Sequence, residues 1–328
     1  MTIDPDSTQR LSKRQADLQT FEAVAGNEER LLEKPTSQWR LARRRFRRHR
    51  SGMIGLGIVV GLILVAILAP VLAPYEPTNV LIGEEDVRRR EPPCIHLLGC
   101  DESKPQHILG IDGNVRDVFS RIIFGSRISL TLGFSTVTLA LFVGGAFGAI
   151  AGYRGGWLDN IVMRVMDVVL GFPSLLLAIA IVAVLGPGIR NALIAIAIVT
   201  MPQYARVMRA QVLSIKETDF VAAAEALGAS PRQILIRRVI PNAMTPVVVL
   251  ATLGVATAIL EAAGLSFLGL GAQPPAPEWG AMLAEERNQV FTSPHLVFFP
   301  GLAIMITVLG FNLMGDGLRD ALDPTLHG

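Results

Sequence analysis

Lysine is almost missing from this chain, with four residues among 328. None of the four follows glycine in a GxxxxGK[ST] setting, so no loop is built to cradle nucleotide phosphates. Cysteine is limited to Cys94 and Cys100, which excludes a thiolate-rich metal centre. His96 and His107 lie near that pair without zinc-ligand spacing, and no metal is expected. The remaining histidines fall in loops, the tail or the basic leader, and no Ser/His/Asp or Cys/His arrangement stands out. No catalytic residue is assigned.

Apolar residues are abundant. They make up 51% of the chain, and the mean hydropathy of +0.45 is one that soluble domains of this length seldom reach. A bilayer core about 30 Å thick requires about 20 apolar residues per helix. Six stretches meet that length: 52–73, 128–150, 165–185, 191–212, 243–268 and 297–315. An all-α, polytopic six-helix membrane fold is therefore expected. Several stretches carry proline (Pro173, Pro202, Pro246, Pro300), which membrane helices tolerate where neighbours satisfy the freed carbonyls. Gly57 with Gly61, and Gly144 with Gly148, are spaced to permit close helix contacts.

Orientation follows from arginine. The run RLARRRFRRHR at 40–50 abuts the first apolar stretch, and Arg206, Arg209, Lys216, Arg232, Arg237 and Arg238 surround the polar insert between the fourth and fifth. Both should face the cytoplasm, and an even number of spans then places both termini inside. A nucleic-acid patch is the competing reading of the basic run, but its place directly before a span favours topology, with anionic headgroups holding it. Residues 1–51 read as a cytoplasmic leader with this juxtamembrane run, 52–73 as the first span and 74–127 as an extracytoplasmic segment. Residues 128–315 hold five further helices with a loop at 217–241, and 316–328 form a cytoplasmic tail. The leader lacks a signal-peptide core, so the first span is expected to stay as an anchor.

The insert, DFVAAAEALGASPRQILIRRVIP at 219–241, has its own local logic. Thr218 is placed to cap a helix in which Phe220, Ala223, Ala224 and Leu227 follow at helical spacing, and Asp219 suits the positive end of its dipole. Gly228 can end that helix in the left-handed conformation. After Ala229, Ser230 and Pro231 fit the N-cap and first position of a second short helix, expected to run to Pro241. Small side chains at 222–224 let another surface approach the backbone, so the insert reads as a handle for a second protein.

Outside the insert, Cys94 and Cys100 in the extracytoplasmic segment are expected either to join into a small loop or to remain free thiols. Glu261, late in the fifth span, should face protein or water, as part of an external gate or as a structural bond. Arg164 and Asp167 are spaced to neutralise each other on one helix face, while Arg206 and Arg209 read as topology signals.

The spacing Ala223, Ala224, Gly228, Pro241 resembles the EAA loop of bacterial ABC importer permeases, with Ile240 standing for Leu. Ala222 occupies the Glu site and Arg238 the Ile site, and Glu225 is the candidate to supply the missing charge. From about His107 to Pro324 the chain is similar to the C-type permease subunit of dipeptide and oligopeptide ABC importers. The phrases that carry this are RDVFSR with GSRISL at 116–130, GYRGGWLD at 152–159, FPSLLLAI at 172–179, YARVMRAQVLSIKE at 204–217 and GLSFLGLGAQPPAPEWGAML at 264–283.

The resemblance implies the type I permease fold, with the insert as a coupling helix between spans 4 and 5. Phe220, Ala223, Ala224, Leu227, Gly228, Ala229, Ser230 and Pro241 would then meet the ATPase. It further implies a heterodimer with a second related permease, two cytoplasmic ATPases that bind ATP and Mg, and an extracytoplasmic peptide-binding protein. The setting would be the bacterial plasma membrane, with no cofactor and no nucleic acid on this chain. A same-family permease for nickel chelates or another small solute is the nearest alternative. An ATP-independent secondary transporter or channel is the rival from a different class, but it would call for mid-membrane ionisable relays or half-helices and would leave the insert without a purpose.

Overall fold

Asp117 starts a helix of 37 residues: its carboxylate accepts from the Ser120 N–H at 2.7 Å and caps a run, α2, from Val118 to Arg154. This helix belongs to a computed structural model that describes residues 43–322. The chain divides into two units, Met1–Arg45 and Phe46–Gly328, and the helical bundle is formed by the second. The expectations for the leader before residue 43 and for the last six residues fall outside the described part.

The first helix, α1, spans Arg50–Ile67, capped by His49, whose ring accepts from the Gly52 N–H. At about 1.5 Å per residue, α2 is about 55 Å long, well beyond a bilayer core. Its first turns, with Arg121 and Arg127, therefore lie ahead of the apolar stretch that begins at 128. Gly155, at φ +65°, ends it and turns the chain into α3, Gly156–Leu170.

The third apolar stretch differs from expectation. Rather than one helix over 165–185, it divides into α3 and α4 (Ser174–Leu185), bent by 93°. Pro173 has no N–H to continue the ladder and disfavours the helical region for Phe172, so α3 stops at Gly171. Beyond it come α5 (Ile189–Lys216), α6 (Asp219–Ala226), α7 (Pro231–Ile234), α8 (Ile240–Phe267), α9 (Trp279–Glu286) and α10 (His295–Leu322). Among the described residues five helical stretches are long and apolar enough to cross a bilayer, or six if the bent pair is counted as one span.

A second difference lies at Pro241. The short helix after Ser230 does not end there: a π turn over Leu235–Val239 joins α7 to α8, and Pro241 sits in the first turn of α8. The π register, with the Ile240 N–H bonded back to Leu235, absorbs the donor that proline lacks, and Asn242 Nδ2 takes up the Arg238 carbonyl at 2.6 Å.

Glycine decides two helix seams. Gly144 and Gly148 of α2 lie against Met201 and Ala205 of α5 so closely that a methyl at Gly148 would meet the Ala205 carbonyl. Gly57 and Gly61, the other pair singled out by spacing, face open space among the described residues; α1 instead packs through Gly52 and Gly55 against Gly310, Met314 and Gly317 of α10. Spacing identifies a small-residue face, but only the neighbour's position says which face is used.

Candidate functional site

The polar insert is a pair of helices around Gly228, whose φ of +81° is the left-handed turn expected there. The Ala229 N–H returns to the Ala224 carbonyl at 3.1 Å and the Gly228 N–H to Glu225 at 2.9 Å, closing α6. Ser230 accepts from the Gln233 N–H and Pro231 takes the first position of α7. Thr218 has the extended backbone of an N-cap, but its hydroxyl donates back to the Ile215 carbonyl at 2.6 Å and makes no cap bond. Val221, Ile234 and Val239 are buried and anchor the hairpin to the core.

Between the two arms lies a cleft of about 280 Å³ lined by Ala224, Leu227, Ala229, Gln233, Ile234, Arg237 and Arg238. Leu227 is 89% exposed at its rim. Of the residues named from sequence, Ala224, Leu227 and Ala229 line the cleft, Gly228 makes its turn, and Phe220, Ala223, Ser230 and Pro241 are exposed outside its lining. Arg237 and Arg238, read from the sequence as topology signals, are cleft residues. Their proximity to alanines one helix away depends on the turn angle, which spacing does not reveal.

Two cross-span ion pairs stand above the insert. Arg209 grips Asp159 with both Nε and Nη2, at 2.5 and 2.6 Å, and Arg206 meets Asp167 at 2.6 Å. Asp167 therefore pairs with α5, not with Arg164 on its own helix. Both pairs tie α3 to the segment of α5 that leads into the insert.

On the opposite side, the segment before α2 is bound down by buried charge. Arg116, 3% exposed, donates to Asp112 at 2.8 Å and to Glu285 of α9 at 2.6 Å, and Arg121 reaches Glu285 at 3.2 Å. Glu286 accepts from Arg90 Nε at 2.9 Å and from the Gly113 N–H at 2.7 Å. Cys94 and Cys100 are joined, closing a small loop in which the N–H of buried Cys94 bonds the His107 carbonyl. Glu261 is partly buried, and its Oε2 has no hydrogen-bond partner among the described residues.

His107 has carboxylates on both ring nitrogens, Asp117 at 2.9 Å and Glu85 at 3.0 Å, with the Tyr75 ring 5.2 Å away. Burial pulls its pKa down, but the bonds and charges of Asp117 and Glu85 outweigh that and hold it above the ordinary histidine value. A raised folded-state pKa contributes stability that is fully present below about pH 6.5, the unfolded value, and is lost as pH rises through the folded value. Thermal denaturation of the purified protein is thus expected at lower temperature as pH is raised above about 6.5, with a weaker dependence in His107→Gln. An identical pH dependence in the two proteins would refute the assignment.

The fold agrees with that of known proteins that the chain matches. Residues 144–328 match the family described as binding-protein-dependent transport system inner membrane component, and residues 37–93 match the N-terminal TM domain of oligopeptide transport permease C. The dipeptide transport system permease protein DppC of Alkalihalophilus pseudofirmus is 47% identical over 292 residues, 88% of this chain and 91% of the relative. The glutathione transport system permease protein GsiD of Escherichia coli is 44% identical over 320 residues, covering 96% and 98%. Among solved structures, the inward-facing MetNI methionine ABC transporter matches with a TM-score of 0.52 at 18% identity, over 62% of this chain and 96% of that one, which supports the fold alone. With a family match over more than half its length and relatives this similar along nearly all of it, the chain belongs to the binding-protein-dependent inner membrane components, the multi-span permeases of ABC importers.

Proposed function

We propose that this permease carries dipeptides or short oligopeptides, forms half of the translocation path with a second related permease, and is driven through its cleft by ATPase subunits. The cleft between α6 and α7 is the observation that carries the coupling role: it is concave, alanine-floored and edged by Arg237 and Arg238. A surface of that shape suits an apolar knob with an acidic neighbour on a soluble partner. ATP and Mg belong to that partner, and the chain itself is non-catalytic and needs no cofactor. The dipeptide and glutathione permeases it resembles favour peptides over nickel chelates as cargo.

The arginine bias supports an inward-facing insert, cytoplasmic termini and an extracytoplasmic segment at 74–127. A peptide is zwitterionic and variable in side chain, so selection by an external binding protein and a permissive path through the membrane fit together. The pairs Asp159–Arg209 and Asp167–Arg206 supply rigid coupling: a push on the insert moves α5 and carries α3 with it.

Co-expression with the neighbouring subunits tests this reading. Purification through this chain should recover two ATPases and a second permease, and mass spectrometry of the binding protein's retained ligand should show mixed short peptides. A retained metal chelate, or solute movement by the reconstituted chain alone, would overturn it.

A further inference from the structure

His107 sits where three segments meet, and its ring is shared between two of them. The arm 75–87 brings Glu85, whose Oε2 lies 3.0 Å from Nε2, and Tyr75, whose hydroxyl donates to Glu85 Oε1 at 2.9 Å. The start of α2 brings Asp117, whose Oδ1 lies 2.9 Å from Nδ1 while its Oδ2 accepts from the Ser120 N–H at 2.7 Å. The loop closed by Cys94 and Cys100 fixes the backbone, through the Cys94 N–H on the His107 carbonyl at 2.9 Å. The side chain is 3% exposed, so its nitrogens depend on these two acids for partners.

An imidazole with an acceptor on each nitrogen needs both of its protons. The neutral ring has one N–H, and its other nitrogen would face a carboxylate oxygen at hydrogen-bond distance with no proton between them. The charged ring fits both sides. Burial opposes that charge, but Asp117 and Glu85 more than offset it and hold the histidine above its ordinary value. Tyr75, pushed up to about 12 by burial and by its bond to Glu85, remains a donor to Glu85 whichever form the ring takes.

The two acids are not equivalent when the ring loses its second proton. Asp117 is 1% exposed and caps α2, where the positive end of the helix suits its charge, so it keeps the remaining N–H. Glu85 is 25% exposed and retains the Tyr75 hydroxyl, so it can turn to water. We propose that His107 is the catch of a proton-operated latch: the charged ring clasps the arm to the start of α2, and the neutral ring keeps Asp117 and lets Glu85 go. The arm does not come away whole, since Leu81 stays buried with Ile111 and Val115 and its N–H bonds the Val115 carbonyl at 2.9 Å. It loosens around Glu85, and from there the chain runs on to Arg90, which holds Glu286 of α9. The latch is closed below about pH 6.5, the unfolded value, and opens as pH rises through the raised value of the folded protein.

Hydrogen exchange of the full chain in lipid nanodiscs, with rates corrected for the intrinsic effect of pH, reads the latch directly. The hydrogen-bonded amides of Glu84, Glu85 and Val87 are the reporters in the arm. They should exchange about ten-fold faster at about pH 9 than at about pH 6, the consequence of losing one hydrogen bond to a charged group, while the first turn of α2 keeps its protection. Glu85→Gln should remove the response and leave the arm protected at both pH values. An amide offers a donor to the unprotonated Nε2 and, turned over, an acceptor to the protonated one. Equal rates at both pH values in the unmodified protein, a rise that includes the first turn of α2, or fast exchange of the arm at about pH 9 in Glu85→Gln would each overturn the proposal. If the variant does not fold, the unmodified protein decides the matter by itself.

Discussion

Replacing Gly228 with valine should abolish substrate-stimulated ATP hydrolysis and uptake while leaving the permease in the membrane. Gly228 is held at φ +81°, a conformation that costs an L-residue about 1–2 kcal/mol and a β-branched one more. Valine would therefore unwind the turn that sets α6 against α7 and distort the cleft floored by Ala224 and Ala229. Among the described residues nothing lies within 4 Å of a methyl at this position, so the effect would come from backbone conformation and the partner's approach, not from a core clash. Val221, Ile234 and Val239 still anchor the hairpin, which is why membrane insertion should survive. Asparagine tolerates the left-handed region, so Gly228→Asn should retain most of the activity that valine removes. The comparison is made in vesicles containing the whole complex; equal hydrolysis and uptake by Gly228→Val and the unmodified protein would refute the docking role.

Arg116→Ala should be the most destabilising single change outside the spans, by about 3–5 kcal/mol, the usual cost of removing one partner from a buried ion pair. The Arg116 guanidinium hydrogen-bonds both Asp112 and Glu285, and so joins the segment before α2 to α9. Its loss would leave two largely buried carboxylates facing Arg121, whose Nη1 lies 3.4 Å from Asp112. Lysine cannot reproduce the fork that reaches both acids, so Arg116→Lys should recover little. Thermal denaturation in detergent measures the loss, and hydrogen exchange should show it concentrated in residues 85–121 and α9. A melting temperature equal to that of the unmodified protein would mean that the network carries no net stability.

The Gly228 turn was legible in the sequence because its signals are local. Glycine after a helical run, then Ser-Pro, states a turn within a few residues whatever lies elsewhere. Apolar length was equally legible for five of the six spans, since a bilayer demands it of each helix separately. The third span was not: Gly171-Phe172-Pro173 can kink a membrane helix slightly or break it by 93°, and the outcome depends on which neighbours take up the freed backbone groups. Asp167 shows the same limit. An on-helix partner at Arg164 satisfied the spacing, yet Arg206 of α5 lay closer in space.

Residue order sufficed to specify a chain of apolar spans interrupted by a polar hairpin that turns at Gly228, because hydropathy and glycine turns act over distances of a few residues. Tertiary packing alone decided which glycines touch, that Arg237 and Arg238 edge the cleft, and that Arg116 closes on Glu285, 169 positions along the chain. Those pairings are set by helix crossing and by the cost of burying charge unpaired, and both quantities exist only once the helices have been brought together.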